Sequence, residues 1–242
     1  MDKRKILAIL IAQFAGIFIW GQTSNTGLLT ITPDTDVSVL DNLNNSPTGS
    51  LYNDGQLYLS RDAQNEGGWS YFDATGTTHF VGREDQHATG SQLFELYNTV
   101  FNMKVDLQEI VVDATWSLNG NADFINGIVQ NRSAGVVVFE NGATHNGASD
   151  ISFLDGTALK SGDEPFDFPI GHLQRHRNAQ ISAPTNASDL ISATYYFENS
   201  NEIHPHNLAL ESIEFIDNTE YWVLEQLEGN NPIVLTLGWD ED

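Results

Sequence analysis

The sequence predicts an all-β protein: a right-handed parallel β-helix, or solenoid, over residues 22–159, followed by a β-sandwich-like module over residues 160–242. Three observations carry this. Short β-favouring runs follow one another with scarcely any helix-period apolar pattern. Turn tokens separate them, among them Thr48-Gly49, Asp54-Gly55, Thr75-Gly76, Thr89-Gly90, Asn119-Gly120, Asn126-Gly127, Asn141-Gly142 and Asn146-Gly147. These tokens recur without a strict period, which suits a coiled stack in which each coil adds a rung and apolar side chains pile up inside.

The chain opens with Lys3, Arg4 and Lys5 ahead of an apolar run over residues 6–20 that only Gln13 interrupts. That layout predicts a secretory signal peptide over residues 1–21, cleaved between the small Gly21 and Gln22. The run is shorter than the roughly 20 residues a membrane-spanning helix needs. No cysteine follows it, so a lipid-anchored precursor is not expected, and no later apolar stretch is long enough to span a membrane.

Strands are then expected at residues 37–40, 50–52, 56–59, 77–81, 105–107, 110–112, 116–118, 124–129 and 136–139. Asn53-Asp54-Gly55 separates the second from the third, with Asp-Gly supplying the positive φ of a tight turn. An asparagine at such a turn can extend its amide to the next coil. A sandwich of hairpins would show the same local tokens. Near Lys160 the texture changes: Ser161-Gly162-Asp163-Glu164-Pro165 is polar and linker-like. Longer alternating strands are expected beyond it at residues 193–198, 208–216, 221–227 and 233–239, in a compact antiparallel arrangement.

Composition limits function. The chain has no cysteine, so an exported product must be held by packing and backbone hydrogen bonds rather than cross-links. It carries 33 acidic and 10 basic residues, a net charge of −23, which makes nucleic acid and anionic membrane poor partners. No Lys or Arg occurs after Arg177, while Asp and Glu recur to the end. A solvated acidic surface explains this; calcium held by some of the carboxylates is the alternative. Asp34-Thr35-Asp36 begins like a calcium loop but has Val39 where the glycine should stand, and reads as a turn.

No nucleophile elbow, phosphate-binding loop or zinc-protease motif is present, so no catalytic residues are assigned. Arg83, Glu84, Asp85 and His87 share one expected loop, where clustered acid and base groups could act on polysaccharide. His204-Pro205-His206 would place two imidazoles on one face of an extended segment, with His172 and His176 near the expected boundary, a candidate zinc site. Trp69, Tyr71 and Phe72 follow the Gly67-Gly68 turn and are the candidate ligand-binding residues, since exposed rings stack on sugars or anchor protein partners. The alternative is that Trp69 and Phe72 cap the core. Trp116, Trp222 and Trp239 sit in apolar strand patterns and are expected inside.

Several segments, in order, resemble a family of large exported surface proteins of Bacteroidota, associated with type IX secretion, gliding and adhesion. They are Thr48-Gly49-Ser50-Leu51-Tyr52-Asn53-Asp54-Gly55-Gln56-Leu57-Tyr58-Leu59, Thr75-Gly76-Thr77-Thr78-His79-Phe80-Val81-Gly82, Gln86 with Gly90, and Leu93-Phe94-Glu95-Leu96-Tyr97-Asn98. In the second half they are Phe168-Pro169-Ile170-Gly171, Glu220-Tyr221-Trp222-Val223-Leu224 and Val234-Leu235-Thr236-Leu237-Gly238-Trp239-Asp240. The resemblance implies a β-helical stalk followed by a β-domain, displayed on the cell surface, with no catalytic residues to carry over. Such proteins commonly continue into a C-terminal sorting domain, and none is visible before Asp242, which leaves the route of secretion open. The expected function is thus a non-catalytic secreted or cell-surface structural or adhesion module binding a surface glycan or protein. The alternative is a carbohydrate-binding or polysaccharide-active β-helix protein. Open strand edges at the end of a solenoid would favour self-association or a partner subunit.

Overall fold

The computed structural model describes residues 17–19, 22–208 and 216–239. Apart from residues 17–19, the expected signal peptide lies outside the described residues, as do residues 209–215 of the strand expected at 208–216.

Among the described residues the chain winds through seven coils of three short strands. The first coil holds β1 (Ile17–Ile19), β2 (Thr23–Asn25) and β3 (Leu28–Ile31); the second holds β4 (Asp36–Val39), β5 (Leu43–Asn45) and β6 (Ser50–Asn53). The third holds β7 (Gln56–Leu59), β8 (Ala63–Asn65) and β9 (Gly68–Ser70); the fourth holds β10 (Thr77–Phe80), β11 (Gln86–Thr89) and β12 (Phe94–Leu96). The fifth holds β13 (Asn98–Asn102), β14 (Glu109–Val112) and β15 (Thr115–Leu118); the sixth holds β16 (Asn121–Asn126), β17 (Ile128–Gln130) and β18 (Val136–Phe139). The seventh holds β19 (Thr144–Asn146), β20 (Leu154–Asp155) and β21 (Thr157–Ser161).

Apart from β9 and β12, equivalent strands of successive coils pair in parallel, which gives three faces. The first face runs unbroken from β1 to β19 and the second from β2 to β20, while the third divides between β9 and β12. Parallel pairing requires a long crossover between partners, and the other two strands of each coil supply it.

Register explains the core. Alternation along β10, β13 and β16 turns Phe80, Phe101 and Phe124 inward, and pairing sets them opposite one another. Their centroids are 5.9 and 4.9 Å apart, and Trp116 from the third face lies parallel to Phe101 at 6.2 Å. Such ring pairs add about 0.5–1.5 kcal/mol each beyond the area they bury.

At the corner between the second and third faces Asn25, Asn45 and Asn65 stack in register, 20 residues apart, as the turn chemistry suggested. Asn25 Nδ2 donates to Asn45 Oδ1 at 2.8 Å, and Asn45 Nδ2 donates to Asn65 Oδ1 at 2.7 Å and to the Gly68 carbonyl at 2.8 Å. Asn45 and Asn65 are fully buried, so these amides hydrogen-bond from coil to coil where water cannot reach.

Three local expectations change. Asn53-Asp54-Gly55 turns the corner from the third face to the first and does not close a hairpin, because β6 and β7 belong to different sheets. Gly55 is needed for space, since a Cβ there would stand 2.4 Å from the Thr35 carbonyl oxygen. Residues 105–107 form a turn in which Leu107 has φ +61°, and residues 124–129 divide into β16 and β17 at Gly127, whose φ is +106°.

The change of texture near Lys160 marks a change of pairing. The expected boundary falls inside β21, and among the described residues seven strands follow it. They are β22 (Phe166–Phe168), β23 (Ile170–His172), β24 (Arg175–His176), β25 (Ala179–Ile181), β26 (Leu190–Tyr196), β27 (Tyr221–Glu228) and β28 (Leu235–Leu237). β26 joins β21 antiparallel and β27 follows it, β23 and β24 extend the second face, and β22, β25 and β28 form a small antiparallel sheet. The buried cluster runs without interruption from Ile31 to Tyr195. A sandwich-like module separate from the solenoid is therefore not what the pairing forms. The longer alternating strands signalled antiparallel neighbours, a property that a terminal cap and a sandwich share.

Candidate functional site

The corner between the third and first faces varies in length from coil to coil. It takes a single residue, Tyr97, between β12 and β13, and two, Asn119-Gly120, between β15 and β16, but six, residues 71–76, between β9 and β10. This longest excursion lies where the third face divides.

A buried carboxylate fixes the excursion. Asp54, only 3% exposed, accepts the Phe72 N–H at 3.0 Å and the Asp73 N–H at 2.7 Å, and the Thr75 hydroxyl donates to the Asp54 carbonyl at 2.8 Å. With its backbone held, Phe72 stands 63% exposed and stacks on Tyr52 of β6, centroids 4.0 Å apart and 17° from parallel. Tyr71 turns to the next coil and meets Tyr97 at 5.3 Å.

Carboxylates and amides continue the strip. Ser70 donates to Glu95, and Ser117 donates to Glu140 at 2.8 Å. Asn119 Nδ2 reaches the Ser117 hydroxyl and carbonyl, each at 3.1 Å. Tyr71, Tyr97, Asn119 and Glu140 thus occupy one corner on successive coils, with Tyr52, Ser70, Glu95 and Ser117 beside them on the third face. Burial holds the Tyr71 phenol above its ordinary pKa, and the charges of Glu95 and Glu140 push it the same way, so the ring keeps its O–H at neutral pH. Fixed rings next to fixed acceptors and donors form a surface able to stack on one face of a sugar while bonding its hydroxyls.

Of the three aromatic residues singled out from sequence, Tyr71 and Phe72 lie on this strip. Trp69 does not: it is 3% exposed and packs on Phe94 at 4.8 Å inside the core. Alternation along β9 turns Trp69 inward and Ser70 outward. Tyr52 and Tyr97 were missed because each sits in an ordinary strand-like run, and only the coil register brings them to the others. Trp116 is buried as expected, but Trp222 is half-buried and Trp239 is 68% exposed, because β28 ends at Leu237, before reaching it.

The histidine set is dispersed. His204 and His206 lie in and beside two short 3-10 turns, Ser200–Glu202 and His206–Leu208, where an extended segment was expected. His206 Nε2 bonds Ser200 Oγ at 3.0 Å while His204 stands edge-on to Tyr221, so the two imidazoles face different partners. His172 Nδ1 accepts the Phe197 N–H at 3.1 Å. Among the described residues, no group of three or more His, Cys, Asp or Glu stands close enough to hold a metal ion.

The charged loop after β10 also serves neighbouring coils. Glu84 pairs with Arg61, Asp85 accepts the Glu109 N–H at 2.9 Å, and His87 donates its backbone N–H to Asp62 at 2.9 Å. Asp34, with φ +62°, sits in a turn.

No family model, no curated protein and no solved structure matches this chain.

Proposed function

We propose that this chain is a non-catalytic adhesion module of an exported or cell-surface protein, a stiff spacer whose corner strip binds polysaccharide. The observation that carries the reading is the strip itself, with Phe72 on Tyr52, Tyr71 beside Tyr97, and Glu95 and Glu140 held by serine hydroxyls. Hydrogen bonding along three faces supports the spacer role, because every coil is tied to its neighbours. The amino-terminal charge and apolar pattern supports export, and the ordered resemblance to Bacteroidota surface proteins supports display. A purely structural stalk would need no row of fixed rings on one corner.

Affinity electrophoresis of the protein through gels containing alginate, laminarin, xylan or soluble chitin tests this. At least one polysaccharide should retard the protein, and Tyr71→Ala with Tyr97→Ala should weaken that retardation by about tenfold or more, the scale of losing two ring contacts. Equal retardation of the double variant, or none of the wild type on any of the four, would overturn the proposal.

A further inference from the structure

Toward the carboxy-terminal end of the solenoid a cleft of about 290 Å³ opens between the turn after β19, the strand β24 and the chain following β28. Ser149, Asp150, His176, Arg177, Asn178, Gly238 and Trp239 line it. We propose that this cleft is a second, independent binding site that takes a single uncharged pyranose ring, stacked on Trp239.

The walls are fixed before any ligand arrives. Ser149 and Ser152 exchange backbone hydrogen bonds at 2.9 Å in both directions, which locks the turn that carries Asp150. Asp150 Oδ1 accepts the His176 N–H at 2.8 Å and ties that turn to β24. Gly238 donates to the Asn178 carbonyl at 3.1 Å, and the two pack so closely that a Cβ on Gly238 would stand 2.2 Å from Asn178 Oδ1. A larger residue at 238 would have to displace the Asn178 side chain from this wall.

Charge and shape select the ligand. Arg177 is 4% exposed, and its Nε lies 3.4 Å from Glu220, so its charge is balanced inside the protein. Burial holds the His176 imidazole below its ordinary pKa, which keeps it neutral at pH 7. Asp150 is exposed and negative, so a phosphate or carboxylate would be repelled in a chain of net charge −23. What remains is an acceptor-rich polar wall beside one exposed indole. That pairing suits a ring with an apolar face and hydroxyl edges. Trp69 and Trp116 are buried and Trp222 half-buried, so among these Trp239 alone offers an open ring.

Tryptophan fluorescence and saturation-transfer NMR would test the site in titrations with the methyl glycosides of glucose, galactose, mannose and N-acetylglucosamine. At least one should give a saturable response in the millimolar range. Trp239→Ala and Asp150→Asn, which keeps an oxygen for the His176 N–H, should each weaken it by about tenfold. An unshifted melting temperature in both weakened variants would confirm that they remain folded. No saturable response with any of the four sugars, or undiminished binding by folded Trp239→Ala, would overturn the proposal without touching the corner strip.

Discussion

In the seven coils all pairing is parallel and runs from one coil to the next, broken only between β9 and β12, whereas beyond β21 the new pairings are antiparallel apart from that of β23 with β20. The two regions are stabilised differently as a result. The coils repeat one solution: Asn25, Asn45 and Asn65 at one corner, Phe80, Phe101 and Phe124 along one face. The terminal region uses single arrangements. Lys160 is buried with its Nζ 2.7 Å from the Glu140 carbonyl, and Arg177, Glu220 and the Tyr195 hydroxyl form a buried charged group. A parallel stack cannot finish itself, because its last rung leaves unpaired N–H and C=O groups. Reversing the chain direction covers that edge, and burying polar groups there requires a dedicated partner for each.

The largest effect expected from this contrast lies in the coils. Trp69→Ala removes a buried ring between two coils and should cost about 3–5 kcal/mol. Urea denaturation measures it, and a loss under about 1 kcal/mol would mean that the indole does not belong to the core.

Asn45→Ala comes next. It deletes the donations to Asn65 and Gly68 and takes from the Asn25 amide one of its two acceptors, the other being the Ser50 carbonyl, a loss of about 2–3 kcal/mol. Because a coil rests on its neighbours, hydrogen exchange should rise across β2 to β9 and stay unchanged in β26 and β27. Equal acceleration at both ends would show that the molecule opens as one unit and that the two regions are not distinct.

Much of this contrast is legible in sequence, and the limits have physical causes. Asn-Gly and Asp-Gly tokens mark corners, and apolar alternation gives the facing of Leu57, Leu59, Phe80 and Trp116, since both signals are local. The meeting of Tyr71 with Tyr97, or of Phe72 with Tyr52, depends on coil length, which varies with each corner and has no strict period to read. Trp69 was ambiguous because one residue of phase decides between core and surface. The antiparallel region was visible as a change in strand length, but whether it caps a stack or stands alone depends on pairings between distant strands such as β21 and β26.

The smallest effect belongs to the terminal region and has the opposite sign. β23 and β24 are joined by Leu173 and Gln174, with φ +50° and +60°, both in the left-handed region that a two-residue primed turn demands. Neither residue favours that region, and Leu173 is 62% exposed, so no burial offsets the strain. Replacing the pair by Asn-Gly should stabilise the protein by about 1 kcal/mol. In the coils a substitution that relaxes one corner must still satisfy the rungs on both sides. This hairpin tip lies at the edge of its sheet, so the gain should appear in full in the denaturation midpoint and leave exchange in β2 to β9 unaltered. A variant no more stable than the wild type would mean that Leu173 makes a contact worth as much as the strain, and would shift attention to what lies against the tip.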